Sequence, residues 1–412
     1  MPTAPTVARF RPAVSSPAPL GLHDAPRHEP PALLARLLQR ADVRTDGSRP
    51  WDMQVHHPRL YRRVLTNWTL GLGDAYVDGD WDCERLDELF TRLLRADLDR
   101  DGGPLAHLWA AGLRLREGLR NAQRPARAFI VGERHYDIGN DLYARMLDSR
   151  MTYSCGYWER AADLEEAQAD KLEMIARKLQ LTPGQRVLEI GCGWGGLARH
   201  LALHHGVEVT GLTVSREQQT LAQDACRGLP VRILLQDYRA ATGRYDRIVS
   251  VGMFEHVGPK NHAAYFDTAW RLLDPQGLML LHTIGLNRPG AGTDPWIERH
   301  IFPGGRLPAP QELARAASRR FVIEDWHNFG PDYDRTLMSW HARFEAAWPQ
   351  LAPRYGERFR RMWRYYLLSC AGFFRARQGQ LWQLVLSRRE REEPYRSWRP
   401  GAAPGAPAGL MR

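Results

Sequence analysis

The sequence predicts an α/β fold, a parallel sheet with helices on both faces, preceded by a small helical domain. From about residue 160, short apolar runs alternate with helical stretches, the pattern of strands buried on both faces. A glycine-rich turn, GCGWGG, follows the first of these runs and opens a helix, as it does where such sheets bind nucleotides. Between about 31 and 125 the apolar residues instead recur at helical spacing, with leucines at 33, 34, 37 and 38 and again at 86, 89, 93 and 94.

Taken in order, residues 1–30 are rich in Pro and Ala without periodicity, and 391–412 are similar; both read as flexible tails. The small domain, 31–125, ends in a helix over about 104–121, with Leu105, Leu108, Trp109, Gly112, Leu115 and Leu119 on one stripe and Arg114, Arg116 and Arg120 off it or on its edges. Such a helix either lies on an anionic membrane or turns a basic face to solvent. The catalytic unit, 126–390, brings a helical stretch (LEEAQADKLEMIARKLQL) and a TPGQ turn into a strand at 186–190. Further strands are expected at 207–213, 231–236, 246–251 and 278–284. Two more, near 321–326 and 381–387, are separated by helices and would form a final hairpin-like pair.

The 412 residues are 43% hydrophobic, with 14 Trp, which excludes a mostly disordered chain because there is ample apolar surface to bury. No uncharged apolar run approaches the roughly 18–20 residues that cross a bilayer; YYLLSCAGFF is about half that. The N-terminus has no continuous apolar stretch and is broken by prolines, so it does not read as a secretory signal, and cytoplasm is the default. Five cysteines without a CxxC pair argue against a disulfide framework or a zinc site, and no metal is expected. With 57 Lys+Arg against 47 Asp+Glu, the net charge of +10 suits nucleic acid or acidic phospholipid, or reflects abundant Arg alone.

In VLEIGCGWGG, Gly191, Gly193 and Gly196 have the GxGxxG spacing. Glycine lets a ligand approach the backbone, and the helix start offers unpaired N–H groups. Glu189, two residues before Gly191, would repel a pyrophosphate but can pair with the ammonium of a methionine moiety. S-adenosylmethionine therefore fits better than a dinucleotide. Thr213 ends the second strand where a ribose-binding acid often stands. Gln218, three residues after Ser215, has capping-box spacing, with a ribose contact as the alternative. After the third strand Asp237 and Tyr238, beside Gln236, offer a carboxylate and a ring for adenine.

These segments, with GERHYDIGNDLY, MTYSCGYW, VSREQQ, LLQDYR, DRIVSVGMFEHVGPKN, LLHTIG, DPWIERHIFPGG, EDWHNFGPDYDRTLMSW and CAGFFRAR, resemble the cyclopropane-fatty-acyl-phospholipid synthases, relatives of the mycolic acid cyclopropane synthases. The likeness runs from about 132 to 390, and more weakly (LGLGDAYVDGDW) back to about 70. It implies a class I methyltransferase (Rossmann-like) sheet of seven strands. It also implies transfer of a methylene from S-adenosylmethionine across a cis double bond of a membrane phospholipid's acyl chain, with bound bicarbonate as base. The implied partner is an unsaturated phospholipid at an anionic inner membrane face, not nucleic acid, and relatives form dimers.

Such chemistry makes its own demands. An alkene must be held in line with an electrophilic methyl. The carbocation that forms must be kept from water, near aromatic faces. A base must then take a proton from the new methyl so that the ring closes. Glu255 and His256 follow the fourth strand; His282 and Ile284 end the fifth; Tyr333 lies in the loop after EDWHNF, and Cys155 in MTYSCGYW. By the resemblance, Cys155, Glu255, His282, Ile284 (through its backbone) and Tyr333 bind bicarbonate, while Tyr153 and Ser154 contact the cofactor. Read alone, Glu255 also fits a helix-start carboxylate and His282 a hydrogen-bonded core histidine. Cys370 corresponds to a cysteine discussed in the family as catalytic, yet its spacing from Trp363 and Tyr366 also makes it a small core hydrophobe. Trp296, Ile297, Ile301 and Phe302 are apolar enough to line an acyl tunnel or to pack as core.

Overall fold

The computed structural model describes residues 29–97, 138–289 and 293–399. The basic helix expected over 104–121 lies outside the described residues, as do 1–28 and 400–412. The N-terminal part contains α1 (Ala32–Arg40), α2 (Arg59–Val77) and α3 (Leu86–Arg95), with two short paired strands, β1 (Gln54–Val55) and β2 (Trp81–Asp82). Leu34 and Leu37 of α1 and Leu86 and Leu89 of α3 point inward, as their spacing requires, while Leu33 stays exposed.

The remaining chain runs through α4 (Asn140–Met146), α5 (Leu164–Lys178), β3 (Arg186–Ile190), α6 (Gly196–His205), β4 (Glu208–Thr213), α7 (Arg216–Ala225), β5 (Val231–Leu235) and β6 (Tyr245–Val251). It continues with α8 (His262–Leu272), β7 (Leu273–Leu286), α9 (Pro295–His300), α10 (Pro310–Ala317), β8 (Phe321–Asn328), α11 (Pro331–Arg375) and β9 (Gly379–Arg388). The seven strands stand in the order β5-β4-β3-β6-β7-β9-β8. The first five are parallel, and β9 is antiparallel to both neighbours. Side chains alternate along each strand into two cores: Leu188, Ile248, Met279 and Leu281 face one helical layer, and Val187, Val249, Leu278 and Leu280 face the other. Both faces are dry, which is why these strands read as continuous apolar runs.

After β3 the chain steps outward to β4 and β5, then returns to the other side of β3 with β6. That reversal opens a crevice at the strands' carboxyl ends. Three expectations need correction. His282 and Ile284 lie within β7, which continues to Leu286, rather than at its end. Tyr333 stands in the first turn of α11, not in a loop. Residues 391–399, inside the span read as a tail, run back along the sheet, where Arg399 binds Asp325 through two 2.6 Å contacts.

The hairpin-like final pair forms as expected, β8 against β9. The excursion between them, α11, breaks at Gly356 (φ 72°) after Pro349 and Pro353, since proline removes a helical donor and glycine tolerates the left-handed turn. Buried residues of α1–α3 share one core with α11, including Trp363, Tyr365 and Phe374. Arg375 ties these elements together, bonding Asp87 of α3 at 2.6 Å and Asp334 of α11 at 2.8 Å.

Candidate active site

The nine residues read from the sequence as cofactor contacts, Tyr153, Ser154, Glu189, Gly191, Gly193, Thr213, Gln218, Asp237 and Tyr238, line one cavity at the crevice. Gly193 has φ 52° and Gly252 φ 66°, and a Cβ on either would meet no protein atom within 4 Å. Glycine at these two positions keeps the backbone bare toward the cavity. The buried Glu189 carboxylate lines it with Oε2 unpartnered. Burial pushes its pKa up to about 8, because a carboxylate out of water is costly until a cation arrives.

Lys171 is a member of this site that no sequence pattern marks. It is fully buried and donates from Nζ to Ser154 Oγ at 2.8 Å. Burial draws its pKa down to about 8, against the pull of Asp148, Cys155 and Glu189. Gln168 Nε2 donates to the Ser154 carbonyl at 2.8 Å, so α5 holds the 151–158 segment over the cavity. The capping expectation for Gln218 is met only through its backbone. Ser215 caps α7 by accepting from the Gln218 N–H at 3.2 Å, while the Gln218 side chain turns to Thr213, whose hydroxyl donates to Oε1 at 2.9 Å. Asp237 is clasped by Arg239 at 2.6 and 2.8 Å and caps the turn that holds Tyr238. Its carboxylate therefore already has a cation, a partner that the residue spacing alone does not announce.

The second group of residues gathers beside this cavity rather than in it. Glu255 sits in a short turn, Phe254–His256, just after β6. The Ile284 N–H of β7 donates to its Oε1 at 2.7 Å, and Oε2 has no partner. Burial raises the Glu255 pKa to about 7, partly offset by the Ile284 N–H. Cys155, Ile284 and Tyr333 pack in one cluster with Phe329, and the His282 ring meets Phe329 edge-on at 5.7 Å. Tyr333 stacks on Phe374 at 4.5 Å and lies edge-on to Trp340. Its phenol is raised by burial first, then by Cys155, Glu255, Tyr153 and Cys370, which places all four nearby.

Burial drives the thiols and imidazoles of this group to their neutral forms: Cys155 well up, Cys370 up to about 12, His256 down to about 4 and His282 well down. Cys370 thus offers no thiolate nucleophile at neutral pH. Two residues join the compartments. Tyr153 lines the cavity and bonds the Tyr366 hydroxyl at 2.9 Å; His256 lines the cavity and faces Phe302 at 6.3 Å. Trp296 and Ile301 are fully buried core, whereas Phe302 approaches Tyr366 at 5.9 Å.

The residues present fit both small molecules that the sequence implied. For S-adenosylmethionine, the orphaned Glu189 oxygen suits a cation and the bare glycines leave room for the nucleoside. For bicarbonate, Cys155, Tyr333 and His282 gather about Phe329 in neutral forms, with Tyr333 near a glutamate that is half protonated near neutral pH, which relieves repulsion between two anions; the Cys155 thiol already donates to the Gly156 carbonyl at 3.1 Å. The Ile284 N–H is already taken by Glu255, so its contribution passes through that carboxylate.

Sheet order and crevice together define a class I methyltransferase fold. Residues 123–384 match the family described as mycolic acid cyclopropane synthetase. The cyclopropane-fatty-acyl-phospholipid synthase of Escherichia coli strain K12 is 55% identical over 353 residues, 85% of this chain and 92% of that protein. Mycolic acid cyclopropane synthase CmaA1 complexed with SAH and CTAB aligns with a TM-score of 0.59 at 34% identity, covering 63% of this chain and 98% of that one. A coclaurine N-methyltransferase aligns at 0.64 with 21% identity over 77% of this chain and 99% of its own, a likeness of fold alone. The chain belongs to the mycolic acid cyclopropane synthetase family, and it is an enzyme of the methyltransferase class.

Proton binding at Glu255 couples the site to stability. The folded chain keeps this proton up to about pH 7, whereas the unfolded chain loses it near the ordinary value of 4.5, so the group's penalty grows as pH rises between those values. Glu255→Gln is expected to stabilise the fold by about 1–3 kcal/mol above pH 7 and to match the parent near pH 4. Denaturant unfolding at both pH values checks this; an equal effect at the two would contradict the assigned burial cost.

Proposed function

We propose that the chain converts a cis double bond in a membrane phospholipid's acyl chain into a cyclopropane ring. The names of the Escherichia coli and mycobacterial relatives support this reading. S-adenosylmethionine, held by Glu189, Gly191, Gly193, Thr213, Gln218, Asp237, Tyr238, Tyr153 and Ser154, would supply an electrophilic methyl group. The observation that carries the proposal is the pairing of that cavity with a buried aromatic cluster beside a glutamate whose pKa burial raises to about 7.

Within the chamber the chain's own groups have distinct tasks. Tyr333 with Phe374, and Tyr153 with Tyr366, present rings able to stabilise positive charge on the acyl chain. Their apolar surroundings disfavour water, which would otherwise trap the cation. Glu255 accepts from the Ile284 N–H at one oxygen and, in the half of the molecules protonated near pH 7, carries a proton on the other, so it can both anchor an anion and relay a proton. A bicarbonate ion bound among Cys155, Glu255, His282 and Tyr333 would supply the base. The net charge of +10 supports peripheral docking on an anionic bilayer; among the described residues no helix is long and apolar enough to cross one.

Purified protein given cofactor and vesicles of unsaturated anionic phospholipid should add the mass of one CH2 group per modified chain, with cyclopropane signals in the proton NMR spectrum. Glu255→Gln should lower turnover by about 100-fold or more while S-adenosylhomocysteine affinity stays within about threefold. Equal losses in both would contradict the role given to Glu255. A second reading, a methyl-branched chain, is favoured by the "Probable fatty acid methyltransferase" of Pseudomonas putida, 38% identical over 253 residues, 58% of this chain and 64% of that protein. Olefinic or branched-methyl signals in place of the ring would select it.

A further inference from the structure

His282 of β7 stands opposite Gln383 of β9, and Gln383 stands opposite His327 of β8. Lys178, the last residue of α5, reaches this row from one face of the sheet. Its Nζ lies 2.8 Å from Gln383 Oε1 and 2.9 Å from His327 Nδ1. Gln383 Nε2 in turn lies 3.2 Å from His282 Nδ1. Lys178, Gln383 and His282 are all fully buried, with exposures of 0%, 0% and 1%.

We propose that Lys178 is a positioning residue that acts through Gln383 to fix His282 in the tautomer carrying its hydrogen on Nε2. Burial draws the Lys178 pKa down to about 7 against the pull of Asp325; as an ammonium it only donates, so below that pH the glutamine must turn its oxygen to Lys178 and its NH2 to His282. The imidazole nitrogen that accepts from that NH2 has no hydrogen of its own. In a neutral ring the hydrogen is then on the other nitrogen. His282 is neutral because burial, then Lys171 and Lys178, disfavour its charged form. Lys178 is faced by Asp325 at 4.0 Å, which Arg399 and Ser397 also bind, and by His327.

The relay makes His282 a hydrogen-bond donor at Nε2, the polarity needed toward an anion. That consequence rests on the proposed reaction, but the tautomer itself does not. It also explains why this lysine and glutamine are buried: replacing either by a same-sized apolar residue would preserve packing and lose the orientation.

Nitrogen-15 NMR of histidine-labelled full-length protein reads the tautomer directly, with the His282 signal identified by its loss in His282→Gln. Below about pH 7, where Lys178 is an ammonium, the parent is expected in the Nε2–H form. In Gln383→Glu, a carboxylate beside Lys178 stays ionised and only accepts, so His282 should switch to the Nδ1–H form. Turnover should fall about tenfold or more with S-adenosylhomocysteine affinity unchanged. Lys178→Met should give a mixture of the two forms; should that variant fail to fold, the parent spectrum and the isosteric Gln383→Glu decide. An Nδ1–H parent, or a Gln383→Glu protein that keeps the Nε2–H form, overturns the proposal. Because the spectrum needs no turnover, absence of a cyclopropane product would strike the proposed reaction and not this inference.

Discussion

Desolvation is the constraint on which the rest of this site depends. A charged group buried without a partner costs several kcal/mol, so the molecule must pair each ionisable side chain or let it go neutral. Around the aromatic chamber it takes the second course: Cys155, Cys370, Tyr333, Tyr366, His256 and His282 are all shifted toward their neutral forms, each first by burial. Glu255 is poised between its two states near pH 7. Tyr333 and the Ile284 N–H lie beside it, surroundings that suit a reaction whose intermediate would be destroyed by water or by a strong nucleophile.

The neighbouring cavity obeys the same rule, since burial shifts both Glu189 and Lys171 to about 8, until a ligand brings a charge of its own. There Glu189 and Lys171 are both buried, and the carboxylate keeps an oxygen without a partner. A ligand that brings its own ammonium lowers the cost of that carboxylate, so part of the binding energy is stored in the buried group itself. The two compartments touch at Tyr153 and His256. The sheet's reversal beside β3 places both compartments at one edge.

Much of this is legible in the chain. The glycine turn follows a strand and opens a helix, and its chemistry is local, so the seven residues read from it and from the next strand ends line one cavity, joined by Tyr153 and Ser154, which the family resemblance supplied. What stays hidden depends on long-range packing. Lys171 and Lys178 sit in LEEAQADKLEMIARK, where a lysine reads as a solvated face; only the 151–158 segment and the β8–β9 pair bury them. Gln383 is a polar residue in an apolar strand, and its meaning emerges once β9 is seen to insert between β7 and β8. The strand β7 runs past its expected end because Gly285 and Leu286 owe their geometry to pairing with Gln380 and Gly379, about 95 residues away. Arg239's hold on Asp237 is invisible in the chain because neighbouring residues make no pattern for a side-chain clasp.

Whether burial holds back ionisation in the aromatic cluster is tested most directly by titrating Glu255 itself. Carbon-13 NMR of glutamate-labelled protein, with the Glu255 carboxyl signal identified by its loss in Glu255→Gln, gives its pKa. A midpoint of about 7 is expected. A midpoint at the ordinary value of 4.5 would mean that the carboxylate is well solvated, and would contradict the dry chamber and the proton-handling role built on it.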